Sequence, residues 1–152
     1  MSAIATDARI GLSAADVSAI QIWLSDDLAL PIQAVTQTFA FIARRGAGKT
    51  YAAGKLCEGM LEAGAQTIIL DPVGNWYGLR ISADGKGRGF DIPVLGGLHS
   101  DLSISADSGA LIADFAVASG ASLVVDVSIM RKGERKKFST DFAEHLFHLK
   151  KS

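Results

Sequence analysis

The stretch that decides the fold of this 152-residue chain is Thr38-Phe39-Ala40-Phe41-Ile42-Ala43-Arg44-Arg45-Gly46-Ala47-Gly48-Lys49-Thr50. Its first six residues form a short apolar run, which predicts a buried parallel strand. A turn of small residues follows, and residues 49–63 have the apolar spacing of a helix, with Gly64 placed for a left-handed C-terminal cap. A strand, a glycine-rich turn and a helix in this order are the context that makes Ala43-x-x-x-x-Gly48-Lys49-Thr50 a P-loop.

The residue types in this loop suit a triphosphate. The Gly-Ala-Gly sequence at 46–48 leaves room for the backbone to wrap around phosphates, and its amides together with the helix N-terminus form an anion nest. Lys49 is placed to reach the β- and γ-phosphates, and the Thr50 hydroxyl is a natural Mg²⁺ ligand. Ala43 takes the place of the usual first glycine, where a small residue still fits. The sequence therefore predicts binding of a nucleoside triphosphate, ATP with Mg²⁺, and the alternative is a chance glycine-rich turn.

The rest of the chain alternates short apolar runs with helical patterns. Strands are predicted at 18–24, 67–71, 92–95 and 122–127, and helices at 106–118 and from Lys132 to the end. Residues 1–17 are predicted to be a loose arm or an early strand, so that 1–27 form an N-terminal arm and 28–152 the core. Alternation of this kind predicts an α/β fold in which a parallel sheet of four or five strands is covered by helices on both faces.

The composition limits the classes of protein to which the chain can belong. The chain is 49% hydrophobic and 20% charged, with mean hydropathy +0.27. A sheet covered on both faces, or a surface buried by more polypeptide or by a neighbouring subunit, would explain this apolar character. The net charge of -1 means that any nucleic-acid contact must be local. Cys57 is the only cysteine, which excludes an internal disulfide and a thiolate metal site. The N-terminal residues lack the pattern of a signal peptide and no apolar stretch has the length of a membrane span, so we expect a cytoplasmic protein without a membrane partner.

Beyond the loop, the sequence resembles the HerA–FtsK group of hexameric P-loop ATPases, particularly the HerA-type DNA-translocating helicases. The residues that carry this resemblance are Leu30-Pro31, Ala34-Val35-Thr36-Gln37-Thr38, Arg45-Gly46-Ala47-Gly48-Lys49-Thr50-Tyr51, Leu70-Asp71-Pro72-Val73-Gly74-Asn75-Trp76 and Val125-Asp126-Val127-Ser128. The resemblance implies a RecA/FtsK-like P-loop NTPase fold, nucleotide contacts from each residue of 45–51, an oligomer that is a hexamer in the family, and DNA as a possible non-specific partner. Members commonly have an acidic residue near the position of Asn75.

The resemblance also implies an incomplete catalytic set. In this family the Walker B strand, which ends in Asp-Glu, follows the helix that here begins near Lys132. The chain is therefore expected to correspond to the N-terminal half of such a domain and to hydrolyse ATP slowly. The alternatives are a non-catalytic nucleotide-binding or assembly module and, less in keeping with the Asp71-Pro72-Val73-Gly74 context, a P-loop kinase.

The sequence allows two interpretations of the role of each of several other residues. Asp126 is either a minimal Walker B carboxylate that assists catalysis and holds Mg²⁺, or a strand-end aspartate that caps the next turn, which the absence of a following Glu favours. Asp71 either approaches the γ-phosphate or organises the turn at Pro72. Trp76 and Tyr77 either stack on an adenine or anchor their loop. The basic segment, residues 131–137, either contacts an anionic partner such as DNA or is a solvated charge run.

Overall fold

The computed structural model describes residues 19–42, 44–149 and 151, and within it the chain divides into two compact units, Met1–Ala65 and Gln66–Ser152. The predicted arm of residues 1–17 lies outside the described residues, as does Ala43. No helix within the described ranges is long and apolar enough to cross a lipid bilayer.

The described part of the first unit contains a β-hairpin and one long helix. Strands β1 (Gln21–Ser25) and β2 (Leu28–Pro31) pair antiparallel, and a 3₁₀ helix (Ile32–Thr36) follows. Residues 26–27 form the turn that connects the two strands, and the pairing of 28–31 as a second strand was not predicted. Helix α1 spans Lys49–Glu62.

The hairpin packs directly on α1. Ile22 is fully buried, and a β-carbon on Gly59 would lie 2.7 Å from its Cγ2 atom and 3.1 Å from the Trp23 carbonyl oxygen. Glycine at position 59 is what lets strand and helix approach so closely. At the end of α1, Gly64 has φ +73° and donates to the Leu61 carbonyl, which is the predicted left-handed cap.

The strand predicted for residues 38–43 was wrong. Residues 38–42 form no strand, and Ile42 is 91% exposed while Phe39 and Phe41 are 45% and 41% exposed. An apolar run becomes a strand only when neighbouring strands satisfy its backbone groups, and in the described structure of this segment no such ladder forms. Residues 38–42, which precede the P-loop, therefore have no regular secondary structure.

The second unit is a three-stranded parallel sheet with two helices, as the α/β prediction required. Strands β3 (Ile68–Asp71), β4 (Val94–Leu95) and β5 (Leu123–Asp126) lie in the order β3-β5-β4, so β5 is central. Helices α2 (Gly109–Ser119) and α3 (Lys132–Leu149) pack against each other. With the hairpin of the first unit separate, the described chain has three parallel strands rather than the four or five expected.

The core of the second unit follows from the alternation of side chains along the strands. Its central cluster is formed by apolar residues of β4, of β5 with the residue that follows it, and of both helices: Leu95, Leu123, Val125, Val127, Ile112, Ala113, Ala116, Phe138 and Phe142. The four residues of β5 are all buried, as expected for a central parallel strand. This core fixes the carboxyl ends of β3 and β5, where Asp71 and Asp126 stand.

Candidate functional site

Two residues of the P-loop have a backbone geometry that only glycine adopts readily. Gly46 has φ +81° and Gly48 has φ +83°, both in the left-handed region. Gly48 is the N-cap of α1, and the first helical hydrogen bond runs from the Ala52 amide to its carbonyl oxygen at 2.9 Å. The amides of the first helical turn have no acceptor within a helix, so the loop presents them to whatever lies at this end of α1.

The loop carries its lysine close to its own backbone. The Lys49 Nζ atom lies 2.9 Å from the carbonyl oxygen of Arg44, five residues earlier, and therefore sits back over the loop. The ideal β-carbon positions of Gly46 and Gly48 meet nothing within 4 Å, so the space beside the loop is open. A cation, exposed amides and open space together are what a bound triphosphate needs.

The remaining predicted contacts are accessible. Arg45, Ala47, Thr50 and Tyr51 are all exposed, Tyr51 to 72%. The Thr50 hydroxyl lies in the first turn of α1, which suits a ligand of Mg²⁺ bound beside phosphates. Among the described residues no three His, Cys, Asp or Glu side chains converge. Thr50 and the phosphate oxygens of a nucleotide are hard oxygen donors of the kind that Mg²⁺ prefers.

In the second unit, Asp71 organises the loop after β3. Its Oδ1 accepts from the amides of Val73 and Gly74, both at 2.8 Å, and its Oδ2 accepts from the amide of Trp76 at 2.8 Å. The side chain is fully buried. Three amide donors hold the carboxylate in one position, which is the turn-organising role that the sequence left open.

Asp126 occupies the corresponding position on β5. Its Oδ1 accepts from the Ser128 amide at 2.8 Å, which is the geometry of a strand-end aspartate that caps the next turn. Gly97 and Gly74 lie against the same side chain with φ +74° and +85°, and a β-carbon on Gly97 would collide with the carboxylate. The carboxylate is therefore enclosed by three loops, and its assignments to catalysis and to Mg²⁺ stay predictions.

Two of the five cations in the basic segment are engaged by the protein itself. The Arg135 guanidinium donates to the carbonyl oxygens of Ser128 and Met130 at 3.2 and 3.3 Å, and Glu134 accepts from the Arg131 amide at the start of α3. Lys137 pairs with Asp107, and this hydrogen bond is the main cause that raises its pKa. The exposed cations of the segment without an ion pair in the described part of the chain are Arg131, Lys132 and Lys136.

For the loop aromatics the sequence left stacking on adenine or anchoring of their loop open, and Tyr77 is engaged within the protein. The Tyr77 ring stacks on His99 with centroids 4.0 Å apart. Trp76 is half-buried and donates its amide to Asp71. The exposed aromatics among the described residues of the first unit are Trp23, Phe39, Phe41 and Tyr51. Sequence reasoning did not single out Trp23, because it lies in a separate strand.

A third carboxylate, also missed from the sequence, fixes β4. Asp101 Oδ2 accepts from the Val94 amide at 2.9 Å, and its Oδ1 accepts from Arg80 at 2.9 Å. The Val94 hydrogen bond, followed by that of Arg80, holds the pKa of Asp101 below its ordinary value. Val94 and Arg80 are separated from Asp101 by seven and 21 residues, so no local sequence pattern predicts these hydrogen bonds.

The loop geometry and its residues define the class of the first unit: it carries a P-loop. Residues 25–95 match the model of the family described as Helicase HerA, central domain. This match supports a HerA-like P-loop ATPase domain in this part of the chain and agrees with the resemblance noted from the sequence. The matched range includes the whole P-loop and Asp71 but ends before Asp126. Searches among curated proteins and among solved structures gave no significant match.

Proposed function

We propose that the chain binds ATP together with Mg²⁺ through residues 44–50. One observation carries this proposal: Gly46 and Gly48 adopt left-handed backbone while Lys49 Nζ lies over the same loop. That combination places amide donors and a cation around one open space. The HerA family match over 25–95 supports a nucleotide as the ligand.

The division of work among the residues follows from their chemistry. The loop amides surround the phosphates, Lys49 neutralises charge on the β- and γ-phosphates, and Arg45 and Tyr51 flank the bound nucleotide. Thr50 contributes a hydroxyl oxygen to the metal. A Mg²⁺ ion held by Thr50 would supply positive charge that offsets the charge of the phosphates.

We propose further that this chain acts in a DNA-translocating ATPase of the HerA type, in the cytoplasm and as a homo-oligomer, a hexamer by analogy with the family. The described residues that suit a DNA backbone are the exposed cations Arg131, Lys132 and Lys136, since phosphate contacts from lysine and arginine bind DNA without reading its sequence. Arg135 and Lys137 are less available for this role, because each already binds groups of the chain itself.

A second candidate is a nucleotide-binding module without turnover. It is favoured by Asp71, whose two oxygens accept three loop amides, and by Asp126, whose Oδ1 accepts one. Carboxylates held in this way are poor candidates for orienting an attacking water. A phosphotransferase would instead pass the γ-phosphoryl group to an acceptor molecule.

Calorimetric titration of the chain with ATP, with and without Mg²⁺, tests the proposal. We expect saturable one-site binding that is tighter with Mg²⁺, and a Thr50→Val variant that loses most of the Mg²⁺ effect while it keeps metal-free binding. Absence of binding under both conditions would contradict the proposed function.

A further inference from the structure

A groove lies in the first unit between the hairpin and the start of α1. It has a volume of about 730 Å³ and is lined by Trp23, Leu24, Ser25, Asp26, Tyr51 and Lys55. Four of these residues belong to the end of β1 and its turn, and two to the first two turns of α1. Tyr51 directly follows Thr50, so one end of the groove begins where the P-loop ends.

The two aromatic side chains in this groove are unusually accessible. Trp23 is 56% exposed and Tyr51 is 72% exposed. A large aromatic ring on a surface leaves its faces available for stacking, and two of them lining one groove are typical of sites for flat aromatic ligands. The loop aromatics of the second unit differ, since Tyr77 already stacks on His99.

The polar residues of the groove are placed around these rings. Lys55 pairs with Glu58 at 2.7 Å, and its Nζ lies 5.9 Å from the centroid of the Tyr51 ring. Asp26 is exposed in the hairpin turn, where its carboxylate can accept from an exocyclic amine. An aromatic face with a carboxylate acceptor beside it matches the chemistry of a purine base that carries an amino group.

We propose that this groove binds the base and ribose of the nucleotide whose phosphates occupy the P-loop, with Trp23 and Tyr51 as stacking residues. The inference rests on the proposed function for the phosphate end. It extends that function by making the hairpin, which carries no P-loop residue, part of the nucleotide site. The volume of the groove accommodates a purine nucleoside.

Binding of two probes, ATP and inorganic tripolyphosphate, both with Mg²⁺, tests this assignment. Tripolyphosphate offers the P-loop its phosphates without a base. We expect Trp23→Ala and Tyr51→Ala each to weaken ATP binding about tenfold, because stacking of one base on an aromatic ring has about that effect. Neither variant should change the affinity for tripolyphosphate, whereas Lys49→Ala should weaken both ligands. Leu28→Ala, which removes an exposed apolar side chain elsewhere on the hairpin, is the matched control and should change neither.

Tryptophan fluorescence gives a second readout that does not alter the groove. In a Trp76→Phe background the signal comes from Trp23 alone, and we expect ATP to quench it while tripolyphosphate does not. Unchanged ATP affinity in Trp23→Ala, or an equal response to both probes, would overturn the groove assignment while leaving the P-loop function intact. Failure of both probes to bind the parent protein would instead contradict the P-loop function and, with it, this inference.

Discussion

Asp71 and Asp126 lie opposite each other in the parallel register of β3 and β5, and both side chains are buried. Each accepts hydrogen bonds from amides of the loop that follows its own strand. The two carboxylates therefore shape the loops at one edge of the sheet, in keeping with the general rule that buried charges require hydrogen-bond partners. The sequence left a role at the nucleotide and a role in the following turn open for each, and their hydrogen bonds supply the turn role.

The packing around the Asp126 carboxylate is most sensitive to substitution at Gly97. We expect Gly97→Ala to lower the free energy of unfolding by about 2 kcal/mol or more, because a left-handed residue with a β-carbon costs about 1–2 kcal/mol and the collision with Asp126 adds to it. Urea unfolding followed by Trp76 fluorescence in a Trp23→Phe background measures this in the second unit. Gly85→Ala is the matched control, since Gly85 has φ +70° with nothing within 4 Å of its β-carbon position. Equal losses in the two variants would show that the collision is relieved without cost.

Asp101 should make the stability of the second unit depend on pH. Its pKa is lowered in the folded state, so its contribution is complete above the ordinary pKa of an aspartyl carboxyl and is lost as the pH falls through the lower folded value. We expect Asp101→Asn to be less stable than the parent at neutral pH and to approach it in acid. Urea midpoints measured at a series of pH values test this. A constant difference across the series would remove Asp101 from the acid response.

Any binding to DNA should be weak, independent of sequence and steeply dependent on salt, since the available contacts are exposed cations. We expect the double variant Lys132→Glu/Lys136→Glu to abolish it. Lys86→Glu/Arg88→Glu makes the same change in charge on a different loop and should have less effect. Fluorescence anisotropy with a labelled duplex at several salt concentrations is the measurement. If the first variant binds DNA as well as the parent, the basic segment is a solvated surface.

Hydrolysis of ATP by the 152-residue chain should be close to background. Phosphoryl transfer requires an oriented water and neutralisation of developing charge, and the sequence contains no Asp-Glu pair to supply the first. Where a phosphoryl-transfer enzyme neutralises that charge with an arginine finger, the finger alone is worth about 10³–10⁵ in rate. Phosphate release at saturating ATP and Mg²⁺, with Lys49→Ala as the contamination control, measures it. Turnover near one per second (about the lower end for kinases) that disappears in Lys49→Ala would contradict this expectation and make Asp126 the leading Walker B residue.

Local signals predicted much of this structure. The apolar runs that contain β3 and β5 are continuous and end in aspartate, so their strands follow from composition alone. The end of α1 could be predicted from Gly64, because glycine adopts a φ of +73° without support from surrounding residues. The P-loop was likewise found from a contiguous motif in a defined context.

The features that sequence reasoning missed all depend on distant partners. Residues 38–42 are apolar enough for a strand but have no ladder partner in the described structure of their segment. From the sequence alone Arg135 is interpreted as a free cation, whereas in the structure it donates to the carbonyl oxygens of Ser128 and Met130. A role for Trp23 becomes apparent only from the structure, in which the hairpin places it in one groove with Tyr51. Contacts of this kind are set by tertiary packing, which propensity and spacing do not encode.

The most direct test of the account is the affinity of ATP with Mg²⁺ for the parent chain and for Lys49→Ala, measured by calorimetry, with Lys136→Ala as a matched loss of one lysine away from the loop. Lys49 is the lysine that lies over the loop backbone, and loss of a hydrogen bond from a charged group costs about 1.5–3 kcal/mol, or at least about tenfold in affinity. The account predicts one-site binding to the parent and to Lys136→Ala, and severely weakened binding to Lys49→Ala. Equal affinity of Lys49→Ala and the parent would contradict it.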